Sequence, residues 1–192
     1  SLSVEWQFYL LYPILLWAGW KFKPTLRFLT VLLVAIWLVS FGCNLVLSRT
    51  YPEYAFFMLP TRAWEMVSGG LLYTLGFQAR LSSAGRTILQ YLGLVLLAVT
   101  AFAYSSELAW PSYWAAVPVA ATVMVMAAKR DNRLLQQEWL QWCGNVSYSL
   151  YLWHWPIWVG LHYYGFNDTI TGILLGLVLT LLLAVASYYG VE

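Results

Sequence analysis

Charge is what this chain has least of. Asp, Glu, Lys and Arg make up 9% of its 192 residues, against about 25% in a soluble domain. So few charged groups cannot cover a water-facing surface, which excludes a soluble globular enzyme and leaves an integral membrane protein. The net charge is only +2, and the cations lie in short separate stretches, so no nucleic-acid partner is expected. Cysteine is scarce as well. Cys43 is expected near the outer end of one helix and Cys143 in an inner loop, separated by most of a hydrocarbon core about 30 Å thick. A disulfide is then out of reach, and both are expected to be packing residues. There is no cluster of metal ligands, no Gly-x-Ser-x-Gly elbow, no phosphate loop and no Cys-x-x-Cys. No metal is therefore expected, and neither histidine has a carboxylate close by in sequence.

What the chain has is apolar and aromatic. Hydrophobic residues make up 61%, and 12 Trp and 14 Tyr suit the aromatic belts of a membrane interface. Seven apolar stretches are long enough to cross a bilayer: residues 4–20, 26–47, 61–77, 88–104, 113–128, 146–164 and 169–189. The first and fifth are short and contain Pro13 and Pro118. No soluble domain, low-complexity segment or internal repeat interrupts them. The expected fold is all-α, a polytopic transmembrane helix bundle with about seven spans in a single domain over residues 1–192. Lys21, Lys23, Arg27, Arg80, Arg86, Lys129, Arg130 and Arg133 fall in one alternating set of loops, and only Arg49 and Arg62 in the other. By the positive-inside rule the cation-rich side is cytoplasmic. The N-terminus is then outside and Glu192 inside. The chain opens on Ser1-Leu2-Ser3 without Met and stops straight after an apolar stretch, so it is expected to be a piece of a longer protein.

Three places carry candidate chemistry. Glu5, Tyr9 and Tyr12 share one helical face by spacing. A carboxylate beside two phenols suits orienting a base or holding a sugar hydroxyl, while a Glu at a helix start equally suits the helix dipole. Arg62 and Glu65 stand one turn apart, ahead of Ser68-Gly69-Gly70. They read either as an exposed i, i+3 pair or as a guanidinium anchored for an acyl carbonyl or phosphate. The two glycines would allow close helix approach. His154 lies in the middle of an aromatic run, and Ser147, Tyr151 and Trp158 share its stripe. Ionisable groups inside hydrocarbon are costly and commonly functional, although a helix-holding role fits too. Pro156 would free the carbonyl of Leu152. His162, beside Tyr163 and Tyr164, reads as interfacial.

Ser1 to Pro13 resembles the hallmark segment of acyltransferase family 3, the bacterial inner-membrane O-acyltransferases that acetylate lipopolysaccharide O-antigen and other surface glycans. Arg62-Ala63-Trp64-Glu65 with Ser68-Gly69-Gly70 resembles its next marker. Ser147 to Pro156 resembles its late marker, and Ala186 to Glu192 the end of its last core helix. The resemblance implies a transferase of the O-acetylation type in the inner (cytoplasmic) membrane. It would move an acyl group, usually acetyl, from acetyl-CoA to a hydroxyl of a glycan or glycolipid, in contact with membrane lipid.

The resemblance also implies roles. Glu5 supports catalysis by orienting a base or touching the acceptor, and Tyr9, Arg62, Glu65, Tyr151 and His154 line a cavity for substrate and acyl donor. The family often carries a second acid after Glu5, where Trp6 stands here. Its proposed catalytic histidine lies ahead of the segment that Ser1 opens, so the 192-residue piece alone is expected to be inactive. The family core has ten spans starting inside, and three further spans before these seven would agree with the orientation read from charge. A transporter or glycan flippase without chemistry is the alternative, and a structural scaffold in a larger assembly is a third. An Arg or Lys eleven positions before a His in the preceding span would favour the enzyme.

Overall fold

The computed structural model describes residues 2–76, 81–104, 112–129, 135–166 and 169–191. Among them every regular element is helical: α1 (Leu2–Phe22), α2 (Leu26–Thr50), α3 (Pro52–Phe57), α4 (Leu59–Leu75), α5 (Ser83–Ala103), a 3-10 turn (Tyr113–Ala115) leading into α6 (Ala116–Ala128), α7 (Glu138–Tyr163) and α8 (Ile170–Gly190). The chain is thus all-α and a multi-pass membrane protein. Expectations on Arg80, Arg130 and Arg133, and on the extreme termini, fall outside the described residues.

The helix ends follow local chemistry. Thr25, Ser82 and Thr169 cap α2, α5 and α8 by accepting the amides of Phe28, Gly85 and Gly172. Pro52 and Pro60 sit in the first turns of α3 and α4, where a missing N–H costs nothing. Gly76 stops α4 at φ 58°, a left-handed value that glycine takes freely. Pro118 lies in the first turn of α6 and does not interrupt it.

Each of the seven stretches expected to be apolar spans lies on its own helix, with adjusted ends. Three helices, α2, α5 and α8, are long and apolar enough to cross a membrane by length and composition. At 17 and 13 residues, α4 and α6 are shorter. In α1 and α7, Trp, Tyr and amide side chains dilute the apolar content. The short helix α3 was not expected; Pro52 starts it immediately after α2. Helix α7 begins at Glu138, eight residues before the expected start at Val146, because polar Gln141 and Asn145 sit on exposed turns that apolar periodicity does not mark. That corrects the reading of Cys143. It stands on α7, not in a loop, and is exposed, not packed. Both cysteines are free.

The described residues divide into two compact units, 1–130 and 131–192. In the first, α4 lies along α2, with Trp37, Phe41 and Trp64 in an aromatic cluster whose ring centroids are 5.0–6.0 Å apart. The Trp37 indole donates to Ser68 at 2.9 Å, and Ser40 accepts the Trp64 amide at 2.9 Å. These polar ties lie between helices, where hydrocarbon supplies no competing water. Helix α5 approaches α6 through Gly93, where a Cβ would sit 2.7 Å from the Ala121 carbonyl. Gly70 admits α1 in the same way, since a Cβ there would overlap the Tyr12 hydroxyl.

The second unit is the pair α7 and α8. Gly172, Gly176, Thr180 and Ala184 form a buried small-residue face four residues apart along α8. Leu161 and Trp158 of α7 pack on Gly176. Trp142 donates its indole N–H to Tyr189 at 3.2 Å. Filling these close approaches overpacks the interface and should cost about 1–3 kcal/mol. Gly93→Ala and Gly176→Leu are therefore each expected to lower the thermal unfolding midpoint in detergent. Gly144→Ala, where a Cβ meets nothing within 4 Å, should leave it unchanged.

Candidate functional site

Of the marker residues in the first unit, Tyr9, Glu65 and Gly69 share one cleft with α6, whereas Glu5 and Arg62 do not line it. Glu5 lies in the first turn of α1, half-buried. The shared face expected for Glu5, Tyr9 and Tyr12 divides on packing. The buried line of α1 runs through Val4 and Gly19, and Tyr12 turns with it, stacking on Phe8 at 4.6 Å and meeting Gly70. Tyr9 is mostly exposed. No hydrogen bond joins Glu5 to either tyrosine among the described residues. The Tyr12 phenol serves helix packing, and the Tyr9 phenol is open to its surroundings.

Tyr9 lines a cleft of about 650 Å³ between α1, α4 and α6, with Phe8, Glu65, Gly69, Thr122 and Met126 also in its wall. The two glycines of the second marker therefore do different work. Gly70 permits helix approach, whereas a Cβ on Gly69 would meet nothing within 4 Å, and Gly69 opens the cleft instead. Pro118, Thr122 and Met126 supply the α6 wall. Their spacing of four residues was legible in sequence, but nothing there showed that this stripe faces Tyr9 and Glu65.

Arg62 and Glu65 form an ion pair at 3.0 Å, and each side chain is 17% exposed. The alternative of an exposed surface pair is thereby set aside. Arg62 Nη2 donates to Glu65 Oε2 at 3.0 Å, and Nε lies 3.3 and 3.4 Å from the two carboxylate oxygens. The guanidinium rests over the Phe56 ring at 5.4 Å, a cation–π contact that α3 provides and that sequence reading missed. Two nitrogens of the fork are thus committed to Glu65. The third, Nη1, is buried and has no hydrogen-bond partner. A buried, uncommitted N–H of a permanent cation is costly, and it stands ready for an oxygen that carries or develops negative charge.

Tyr151 and His154 lie on α7, in the second unit. Their rings are 5.3 Å apart, with His154 half-buried and Tyr151 more open. His154 Nδ1 bonds the Tyr151 carbonyl. A carbonyl only accepts, so Nδ1 donates this bond, and Nε2 is the ring nitrogen that this bond does not engage. Ser147 does not extend this line; its hydroxyl turns back onto the Gly144 carbonyl at 2.7 Å. Pro156 leaves α7 continuous. His162 is exposed in the last turn of α7.

Holding the guanidinium should need the carboxylate. Glu65→Gln is expected to destabilise the fold by about 2 kcal/mol, the scale of hydrogen bonds to a charged group. In a double-mutant cycle with Arg62→Gln, unfolding in detergent should show positive coupling between the two sites.

A family model described as an acyltransferase domain matches residues 1–189. A protein of Komagataeibacter xylinus named as a membrane-bound transacylase is 26% identical over 200 residues, covering 100% of this chain and 49% of the relative. A peptidoglycan O-acetyltransferase of Listeria monocytogenes is 28% identical over 178 residues, covering 82% of this chain and 28% of the relative. A Bacillus subtilis protein named as a peptidoglycan O-acetyltransferase is 26% identical over 213 residues, covering 100% of this chain and 33% of the relative. The chain spans at most about half the length of these relatives. No solved structure gives a significant match.

Proposed function

The chain belongs to the acyltransferase family, and on that premise we propose that it serves a membrane O-acyltransferase. The reaction is transfer of an acyl group, acetyl in the first instance, from acyl-CoA to a hydroxyl of a cell-surface glycan or glycolipid. The sugar oxygen attacks the thioester carbonyl, the new C–O bond forms as the C–S bond breaks, and the hydroxyl proton passes to a general base while the thiol leaves. Two of the relatives are named for peptidoglycan, so a peptidoglycan-type glycan is the first acceptor to test, ahead of lipopolysaccharide O-antigen.

The observation that carries the proposal is the Arg62 fork. Glu65 fixes Nε and Nη2, and Nη1 is buried without an acceptor. A tetrahedral acyl intermediate puts negative charge on the former carbonyl oxygen. A preorganised cation that needs no rearrangement to meet that charge is worth most in a site of low dielectric. Tyr9, in the cleft wall with Glu65, is proposed to hold the acceptor. Glu5 is proposed to orient the base. Tyr151 and His154 are proposed as donor-path residues on their chemistry alone, with Nε2 of His154 accepting a proton or a hydrogen bond. The reaction as proposed draws on no metal.

The same reading takes all seven long helices as spans of a ten-span domain in the bacterial inner membrane, with residue 2 on the outer side and residue 191 on the cytoplasmic side. In the first unit, Arg49 and Ser112 line one cavity, while Arg86 and Lys129 line another. The α2 end thus meets the α6 start, and the α5 start meets the α6 end, as alternating antiparallel spans require.

Arg62→Lys keeps the charge but loses the fork. It is expected to lower the rate of acyl transfer by about 10²–10³-fold, the scale of removing one oxyanion donor. Glu5→Gln is expected to lower it roughly 10²-fold with an unchanged unfolding midpoint. Radiolabelled acetyl transfer to peptidoglycan by the full protein in vesicles measures both, and full activity in either variant removes that residue from the scheme. With Cys43 and Cys143 replaced by Ala, Arg49→Cys should react with an impermeant thiol reagent in intact cells. Lys23→Cys should react only after permeabilisation.

A further inference from the structure

A second cavity, of about 420 Å³, lies at the C-terminal end of α2. The marker residues do not touch it. Its wall includes Ser48, Arg49, Pro52, Ser112, Tyr113 and Trp114. Trp114 and Tyr113 are partly exposed, with ring centroids 5.0 Å apart. The Tyr104 hydroxyl bonds the Trp114 carbonyl at 2.9 Å, and the two rings meet edge to face at 6.1 Å. The indole is therefore held in place from behind.

The helix that ends at this cavity carries an unusual burial pattern. Ser40, Asn44 and Ser48 lie four residues apart on α2 and are all buried, at 4%, 0% and 5% exposure. A fully buried amide in a long apolar helix is costly unless it is satisfied. Asn44 is satisfied only in part. Its Nδ2 reaches the Ser112 carbonyl at 3.5 Å, a long bond, and Oδ1 has no partner. An apolar residue there would pack at lower cost. Asn44 stands where it braces Ser112, a wall residue of the cavity.

Rigid aromatic rings beside hydroxyls and a guanidinium match one ligand class well. A pyranose ring offers C–H faces that pack on indole and phenol rings, and equatorial hydroxyls that bond Ser and Arg side chains. We propose that this cavity is a carbohydrate subsite that seats a sugar ring of the acceptor, with Trp114 and Tyr113 as the stacking wall, Arg49 and Ser48 as hydroxyl partners, and Asn44 as the positioning residue behind Ser112. It deepens the acyl-transfer reading and rests on it for the identity of the acceptor. The subsite lies where α2 ends and α6 begins, and α3 connects that end of α2 to the α4 turn that carries Arg62. A long glycan seated here would therefore be held by sugars other than the one being acylated.

The test is calorimetric titration of the full protein in detergent, without acyl donor, using soluble pentamers of N-acetylglucosamine and of glucose. At least one pentamer is expected to bind. Trp114→Ala and Arg49→Gln should each weaken binding roughly tenfold, the scale of one lost charged hydrogen bond or ring contact. Trp114→Phe, which keeps a ring, should stay close to wild type, and so should Leu38→Ala on an exposed face of α2. That pattern also separates a binding role from general damage to the fold. Failure of both pentamers to bind wild-type protein overturns the subsite. So does wild-type affinity in Trp114→Ala, or binding of inorganic phosphate that depends on Arg49 and not on Trp114. If acyl transfer to glycan proceeds while Trp114→Ala leaves the acceptor KM unchanged, the subsite falls and the acyl-transfer reading stands. If the pentamer shows the expected mutational pattern but no hydroxyl is ever acylated, the subsite stands and the acyl-transfer reading falls.

Discussion

A peptide N–H or C=O placed in hydrocarbon has no water to bond, and each one left unpaired costs several kcal/mol. Everything regular in this chain answers to that constraint. Among the described residues the regular elements are all helical, which satisfies the backbone within each segment. Helix ends are closed by capping hydroxyls, first-turn prolines or a left-handed glycine. With the backbone settled locally, helix association depends on what side chains do between helices. Small residues at Gly70, Gly93 and Gly176 let backbones come close. Trp37, Ser40, Trp64 and Ser68 supply hydrogen bonds in the gap.

The same constraint makes the remaining polar groups informative. A water-soluble enzyme tolerates a surface arginine pair with little consequence. Here Arg62 is clamped by Glu65, laid over Phe56 and left with one buried nitrogen uncommitted. Asn44 on α2 is another polar group held at a cost. Both lie beside cavities whose walls mix aromatic rings with hydroxyl or charged groups. Such a mixture suits the acceptor proposed above, because a sugar is polar in its hydroxyls and apolar across its ring faces.

Much of this was legible before any geometry. The alternation of apolar stretches with cationic loops placed each long helix, and the Arg62–Glu65 spacing identified a pair on one helix face. The misreadings have physical causes. Helix α7 started early because Gln141 and Asn145 are compatible with a helix but silent in an apolar pattern. Helix α3 went unseen because six residues hold too little periodicity. Tyr9 and Tyr12 were grouped by spacing, yet the packing of α1 against Gly70 sends one inward and leaves the other in a cleft. Gly69 and Gly70 are adjacent and chemically identical, and only their neighbours make one a contact and the other an opening.

The sequence by itself determined the solvent, the helical class, the order of the helices and the residues with chemistry to offer, because composition and periodicity act along the chain and need no partner. Only the tertiary structure decided which of those residues share a cavity, that the guanidinium fork is two-thirds committed, and that Ser48, Arg49 and Trp114 meet at one end of α2. Those facts depend on contacts between segments dozens of residues apart. Such contacts are set by the packing of side-chain shapes, which no local pattern records.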